Sequence, residues 1–208
     1  MLLLKTNPNN PDLKSLEKIG KILKEGGIVI YPTDTVYGIG CDVFNEKSVE
    51  RIYELKRREK NKPFPILLSS MDIAYKIAKL SEYEDKIAKT FWPGALTIVV
   101  FPKIRFSRYF LNEEGKIAIR VPNNRIPRIL AEFINGMIVG TSANISGMKP
   151  ATTAKEALDY IKDVDAVIDA GACDFKKSST VIEVLGKEIK LLREGPIPVS
   201  KIKEVIEK

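Results

Sequence analysis

Apolar positions along the chain switch between helical and alternating spacing, and each switch marks an element. After Asn10-Pro11, Leu13, Leu16, Ile19, Ile22 and Leu23 recur at helical intervals, and Gly26-Gly27 tolerate the left-handed backbone that closes a helix. Ile28 to Tyr31 reads as a buried strand, and a turn over 32–35 leads to a second strand from about Val36 to Gly40. Asn45 is placed to cap a helix with the stripe Val49, Ile52, Tyr53 and Leu55, ending in Lys56-Arg57-Arg58. A strand near 65–68 and helices over about 70–79 and 82–91 follow. The breaker Trp92-Pro93-Gly94 then precedes a β-branched strand at 95–101. Further on, the pattern predicts a strand at 116–121, a helix at 124–133 and a strand at 137–140 that enters the polar loop Thr141 to Gly147. Thr153 with Glu156 predicts a capping box for a helix reaching Ile161. Strands at 166–169, 179–184 and 189–193 and a short helix after Ser200 complete the chain. Seven to nine strands interleaved with helices predict one α/β (α+β) domain over residues 1–208, three layers built around one twisted mixed sheet.

Composition narrows the function. The chain has 208 residues, 44% of them apolar, and a formal charge of +7. No apolar run approaches the ~20 residues of a membrane span, and Met1 to Lys5 is too short for a signal peptide, so a cytoplasmic protein is expected. The chain contains no histidine. That excludes Ser-His-Asp and Cys-His nucleophile systems and any imidazole base, and no metal-ligand set is apparent. Cys41 and Cys173 read as small buried hydrophobes. The absence of Gln beside abundant Lys, Glu and Ile is a bias of hot-environment proteins, which leaves a Cys41–Cys173 disulfide open.

Five stretches carry candidate chemistry. Tyr31 to Gly40, YPTDTVYGIG, places the hydroxyls of Thr33 and Thr35 in a turn between buried strands, with Gly38 and Gly40 allowing close backbone approach. Read blandly, it is a strand connection with Pro, Thr and Asp34 as turn formers. Lys56 to Pro63 is either a solvated helix end or a phosphate clamp. Gly140 to Gly147, GTSANISG, offers Thr141, Ser142, Asn144, Ser146 and backbone N–H groups for an anion. It is neither a P-loop nor a dinucleotide fingerprint. Ser178 to Val181 and Leu192 to Gly195 end predicted strands.

In order and type these stretches match one family. The chain resembles the YrdC-like threonylcarbamoyl-AMP synthases, in YPTDTVYGIG, Lys56-Arg57-Arg58, Trp92 to Thr97 (WPGALT), Ala118 to Pro122 (AIRVP), Ser142 to Gly147 (SANISG), Ser179-Thr180-Val181 and Leu192 to Gly195 (LREG). The resemblance implies a twisted mixed sheet with helices on both sides and a deep basic cavity. It implies an enzyme joining L-threonine, bicarbonate and ATP into threonylcarbamoyl-AMP and pyrophosphate, the first step of threonylcarbamoyladenosine modification of tRNA, with partner proteins completing the transfer. By that resemblance Lys56 and Arg58 are catalytic. ATP, as substrate and with Mg2+ expected, meets Lys56, Arg58, Lys62, Ser142, Asn144 and Arg193. Threonine meets Thr33, Thr35, Arg120 and Ser179, with Arg120 facing its carboxylate.

Two alternatives stand beside this reading. Leu67 occupies a position where longer relatives carry His, which bears on substrate choice, and YciO-type paralogues share the motifs as nucleotide- or RNA-binding proteins. The charge of +7 and pI of 9.2 also suit weak RNA binding, although no RRM or KH signature is present.

Overall fold

The computed structural model describes residues 1–207. In chain order the elements are β1 (Leu2–Lys5), α1 (Leu13–Lys24), β2 (Val29–Tyr31), β3 (Gly38–Gly40), α2 (Glu46–Leu55), β4 (Ile66–Leu68) and α3 (Met71–Ile77). Then come β5 (Ala78–Lys79), α4 (Glu82–Phe91), β6 (Leu96–Pro102), β7 (Ile117–Arg120), α5 (Arg125–Glu132), β8 (Met137–Val139) and β9 (Thr141–Ser142). The last are α6 (Ala154–Tyr160), β10 (Ala166–Asp169), β11 (Thr180–Leu185), β12 (Glu188–Arg193) and α7 (Val199–Glu207). No helix among the described residues is long and apolar enough to cross a membrane.

Side-chain oxygens start the helices where expected, with shifts of detail. Asp12 caps α1 and Asn45 caps α2, each accepting from backbone N–H groups of the first turn. The box expected at Thr153 is half formed. Thr153 accepts from the Glu156 N–H, but the Glu156 carboxylate turns to the N–H and hydroxyl of Thr152. The complete reciprocal box is at Ser81 and Glu84, which opens α4. Three short strands were not legible in the pattern. Strand β1 pairs in parallel with β10 at an exposed edge, β5 is two residues long, and β9 lies inside the polar loop.

The expected single sheet is resolved into two ladders. One has the order β1-β10-β2-β3-β9 and the other β12-β11-β6-β7-β4-β8, with β5 beside β6. They meet across β3 and β8, where Val139 N–H donates to the Cys41 carbonyl (3.1 Å) and Asp42 bridges Ile138. This junction explains the Tyr31, Gly38 and Gly40 pattern. The Tyr31 hydroxyl donates to the Val139 carbonyl (2.5 Å). A Cβ on Gly38 would stand 2.8 Å from the Tyr31 ring, and one on Gly40 would stand 2.1 Å from the Val139 oxygen. Only bare backbone fits under the ring and against β8.

Strand alternation generates the layers. Ile28 and Ile30, Ile66 and Leu68, Met137 and Val139, and Val167 face one core, which α2, α3, α4, α6 and α7 cover. Val29 and Tyr31, Leu67, Ile138, and Ala166 and Ile168 face a second core under α1 and α5. Strands β2, β4, β8 and β10 are thus covered on both sides, as expected of three layers. On β6, β7 and β11 the same alternation sends Leu96, Ile98, Ile117, Ile119 and Ile182 into the first core. Thr97, Arg120 and Ser179 are turned to the opposite face.

The junction yields a test. Gly40→Ala places a methyl group against a main-chain oxygen that cannot rotate away, and it should destabilise the fold by about 3 kcal/mol in urea denaturation.

Candidate active site

On that opposite face, beyond α1 and α5, lies a cleft of about 610 Å3 counting its open mouth. Neither helix contributes a lining residue. The lining comes from the turn after β2, the end of α2, the starts of β9 and β11, and the ends of β7 and β12. Of the predicted site residues, Thr33, Thr35, Arg58, Arg120, Ser142, Ser179 and Arg193 all face this one space. Lys56, Lys62 and Asn144 do not line it.

The turn after β2 is built by its own hydroxyls. Thr33 Oγ1 accepts from the N–H groups of Thr35 (3.0 Å) and Val36 (3.2 Å) and donates to the Val36 carbonyl (2.6 Å). With its proton so committed, Thr33 shapes the turn and positions Thr35, whose hydroxyl lies 2.9 Å from its own. Thr35 Oγ1 also accepts from Arg120 Nη1 (2.9 Å). Arg120, 4% exposed, donates from Nε to the Gly94 carbonyl (2.7 Å) and from Nη2 to Asp34 Oδ1. Three of its five N–H groups are engaged, which leaves one on each terminal nitrogen.

The end of α2 explains the basic run. Arg58 N–H returns to the Tyr53 carbonyl and Arg57 N–H to the Glu54 carbonyl, with Arg57 left-handed at φ 50°. This is the double bond pattern of a Schellman cap, with Arg where glycine is usual. It sends the three basic residues in three directions. Arg57 is exposed, and Arg58 turns to the cleft with Nε and Nη2 held by the Lys62 and Pro63 carbonyls. Lys56 is buried, and its ammonium donates to the carbonyls of Ser142 and of Asn144 (2.8 Å). The Lys56 carbonyl in turn accepts from Ser146 N–H (2.8 Å). Lys56 therefore straps the GTSANISG loop from beneath. Lys62 is not brought to the cleft, since its ammonium pairs with Glu59 (3.1 Å) on the surface. The Asn144 amide donates to the Ile145 and Met148 carbonyls, and its Oδ1 is buried without a partner.

On the opposite wall, Ser179 Oγ pairs with Thr97 Oγ1 (2.8 Å) and accepts from Arg193 Nη2 (3.0 Å), while Arg193 Nε holds the Ser179 carbonyl (2.9 Å). Gly195 permits this contact, because a Cβ there would stand 2.1 Å from the Thr180 nitrogen. Electrostatically the cleft is strained toward anions. Burial, then Arg120 and Arg58, hold the Arg193 guanidinium below its ordinary range, and burial lowers Arg58 and Arg120 as well. Burial first, and Arg58 second, push Lys56 down to about 7. The two cysteines are buried and free, so the disulfide left open by the sequence does not form.

Sequence reasoning missed Asp34, which reads as a turn former, and Thr97 and Tyr37 of the lining, whereas Thr141 of the polar loop lines it as a candidate should. For Thr97 the signal was available, since alternation against Leu96 and Ile98 puts it on the cleft face.

The Sua5_yciO_yrdC family model, described as telomere recombination, matches residues 21–195. The chain belongs to this family. A Methanocaldococcus jannaschii relative under the provisional name threonylcarbamoyl-AMP synthase is 39% identical over 190 residues, covering 91% of this chain and 89% of its own. The solved structure of Pyrococcus abyssi Sua5 complexed with L-threonine superposes with a TM-score of 0.92 at 30% identity, over 99% of this chain. This chain spans 61% of the length of that one. E. coli YciO superposes at 0.88 over 97% of this chain and 100% of its own, and its 24% identity speaks for the shared fold alone.

The strap can be tested by titration. Lys56 is lowered from 10.5 to about 7 on folding, so between those values the unfolded chain binds more protons and stability rises with pH. The destabilising charge is fully present below pH 7. The unfolding free energy of the wild type relative to Lys56→Met should therefore climb between pH 7 and 9, by up to about 1.4 kcal/mol per pH unit.

Proposed function

We propose that this protein is a threonylcarbamoyl-AMP synthase, an ATP-dependent nucleotidyltransferase that converts L-threonine, bicarbonate and ATP to threonylcarbamoyl-AMP and pyrophosphate for tRNA modification. The observation that carries this reading is the convergence of three guanidiniums, Arg58, Arg120 and Arg193, on one hydroxyl-lined cleft. The relatives' names point the same way.

The reaction drives anions together. Threonine's amine, once neutral, takes up the carbon of bicarbonate with loss of water, and the resulting carbamate oxygen attacks the α-phosphorus as pyrophosphate leaves. Arg58 and Arg193 present donors to triphosphate oxygens, and Thr141 and Ser142, on the loop that Lys56 straps, add hydroxyls to the same wall. Their share is alignment and charge neutralisation in a preorganised site. Arg120 offers its two remaining N–H groups to the threonine carboxylate. The Thr35 hydroxyl, with a lone pair still open, suits the substrate hydroxyl, and Leu67 in the wall gives its methyl group an apolar contact. Among the described residues no group of three carboxylate or thiol side chains gathers to hold a metal. Mg2+ enters this reading as part of the ATP substrate, and Ser142 Oγ, on the cleft wall, is a protein oxygen that fits it.

Incubation with ATP, bicarbonate and single amino acids, followed by pyrophosphate and adenylate measurement, tests the reaction. Threonine should be used best. Serine should fall only modestly behind, losing one methyl contact worth roughly 1 kcal/mol, and valine should be rejected far more strongly for lack of the hydroxyl. Equal turnover of threonine and valine would overturn threonine as the substrate. Arg58→Ala and Arg193→Ala should each slow adenylate formation about a hundredfold, and Lys62→Ala should leave it near normal. Near-normal rates in both arginine variants would remove them from the site.

A further inference from the structure

We infer that Asp34 divides the cleft's guanidiniums between the two substrates: by neutralising and fixing Arg120 it reserves that residue for the amino-acid carboxylate and leaves Arg58 and Arg193 to the phosphates. This rests on the proposed reaction and deepens it by adding a positioning residue.

The burial of Asp34 is the first argument. A turn former belongs at the surface, yet Asp34 is 1% exposed, with Oδ1 on Arg120 Nη2 and Oδ2 buried without a partner among the described residues. A buried charge is costly unless paired. Arg120 is the only ion-pair partner Asp34 has among those residues, so the carboxylate serves that guanidinium. Thr35 and the Gly94 carbonyl complete its fixation.

Contrast with the other two arginines is the second argument. Arg58 and Arg193 are held by carbonyl oxygens of Lys62, Pro63 and Ser179 and by the Ser179 hydroxyl; among the described residues neither is paired with a carboxylate, and Glu59 acts on Arg58 only through its field. They keep their full charge for an anion. Arg193 senses both of the others, since Arg120 and Arg58 each depress it. Without Asp34, Arg120 would add a third uncompensated charge to the field that attracts a triphosphate, and the amino-acid end would lose its fixed donor. With it, the amino-acid end is a near-neutral pair suited to a zwitterion, and the phosphate end is strongly positive.

The test is Asp34→Asn, which keeps an oxygen facing Arg120 and removes the charge. The KM for threonine should rise ten- to a hundredfold while the KM for ATP does not rise. Inorganic tripolyphosphate, followed by calorimetry, should bind several-fold more tightly than to the wild type. That gain should vanish in Asp34→Asn/Arg120→Gln, which also keeps a buried unpaired cation from obscuring the result through misfolding. A merely structural aspartate would raise both KM values together or leave tripolyphosphate affinity unchanged, and either outcome overturns the inference. If the wild type makes no adenylate from threonine, the proposed reaction fails. The division of charge is then decided by tripolyphosphate alone, tighter binding supporting it and unchanged binding overturning it.

Discussion

Every cation gathered around the cleft is held by main-chain carbonyl oxygens, and the architecture follows from that constraint. Lys56 reaches the carbonyls of Ser142 and Asn144, Arg58 those of Lys62 and Pro63, Arg120 that of Gly94 and Arg193 that of Ser179. A carbonyl dipole orients a cation without cancelling its charge, whereas a carboxylate does both. Three guanidiniums in one space, with Lys56 beneath its wall, repel, and burial adds to the cost. The chain ends and turns that supply these carbonyls must therefore be rigid: a Schellman cap after α2, the segment before β6, the short β9, and a strand start pressed against Gly195.

Those rigid pieces depend on strand alternation. Hydrophobic residues on β6, β7 and β11 fill the first core, and their neighbours become the floor of the cleft without further specification. The same rule at the ladder junction lays Tyr31 over Gly38 and Gly40. The glycines read from sequence as room for a ligand serve there as room for an aromatic ring, although Gly38 also borders the cleft.

Local signals made most elements legible in the sequence. Helices announced themselves by stripes and caps, buried strands by apolar runs, and the family motifs by their order. Contacts set by distant partners were not legible. Strand β1 is an exposed edge strand whose place depends on β10, more than 160 residues away. Asp34 reads as any turn residue because its partner Arg120 lies 86 residues on, and the hold of Lys56 on the Ser142 carbonyl spans the same separation. Lys62 shared the basic run but not its direction, since the cap had already turned the chain.

The cleft face is the place where α1 and α5 stop and the sheet's polar side stands open. The two cores are roofed by helix, one by α2, α3, α4, α6 and α7 and the other by α1 and α5. A nucleotide and an amino acid seated on β6, β7 and β11 would occupy the position of the absent roof, so the substrates act as a removable piece of tertiary structure. Binding of that kind contributes to the folded state by mass action. The protein's durability and its supply of substrate then become one quantity, and the empty enzyme is the form most exposed to unfolding.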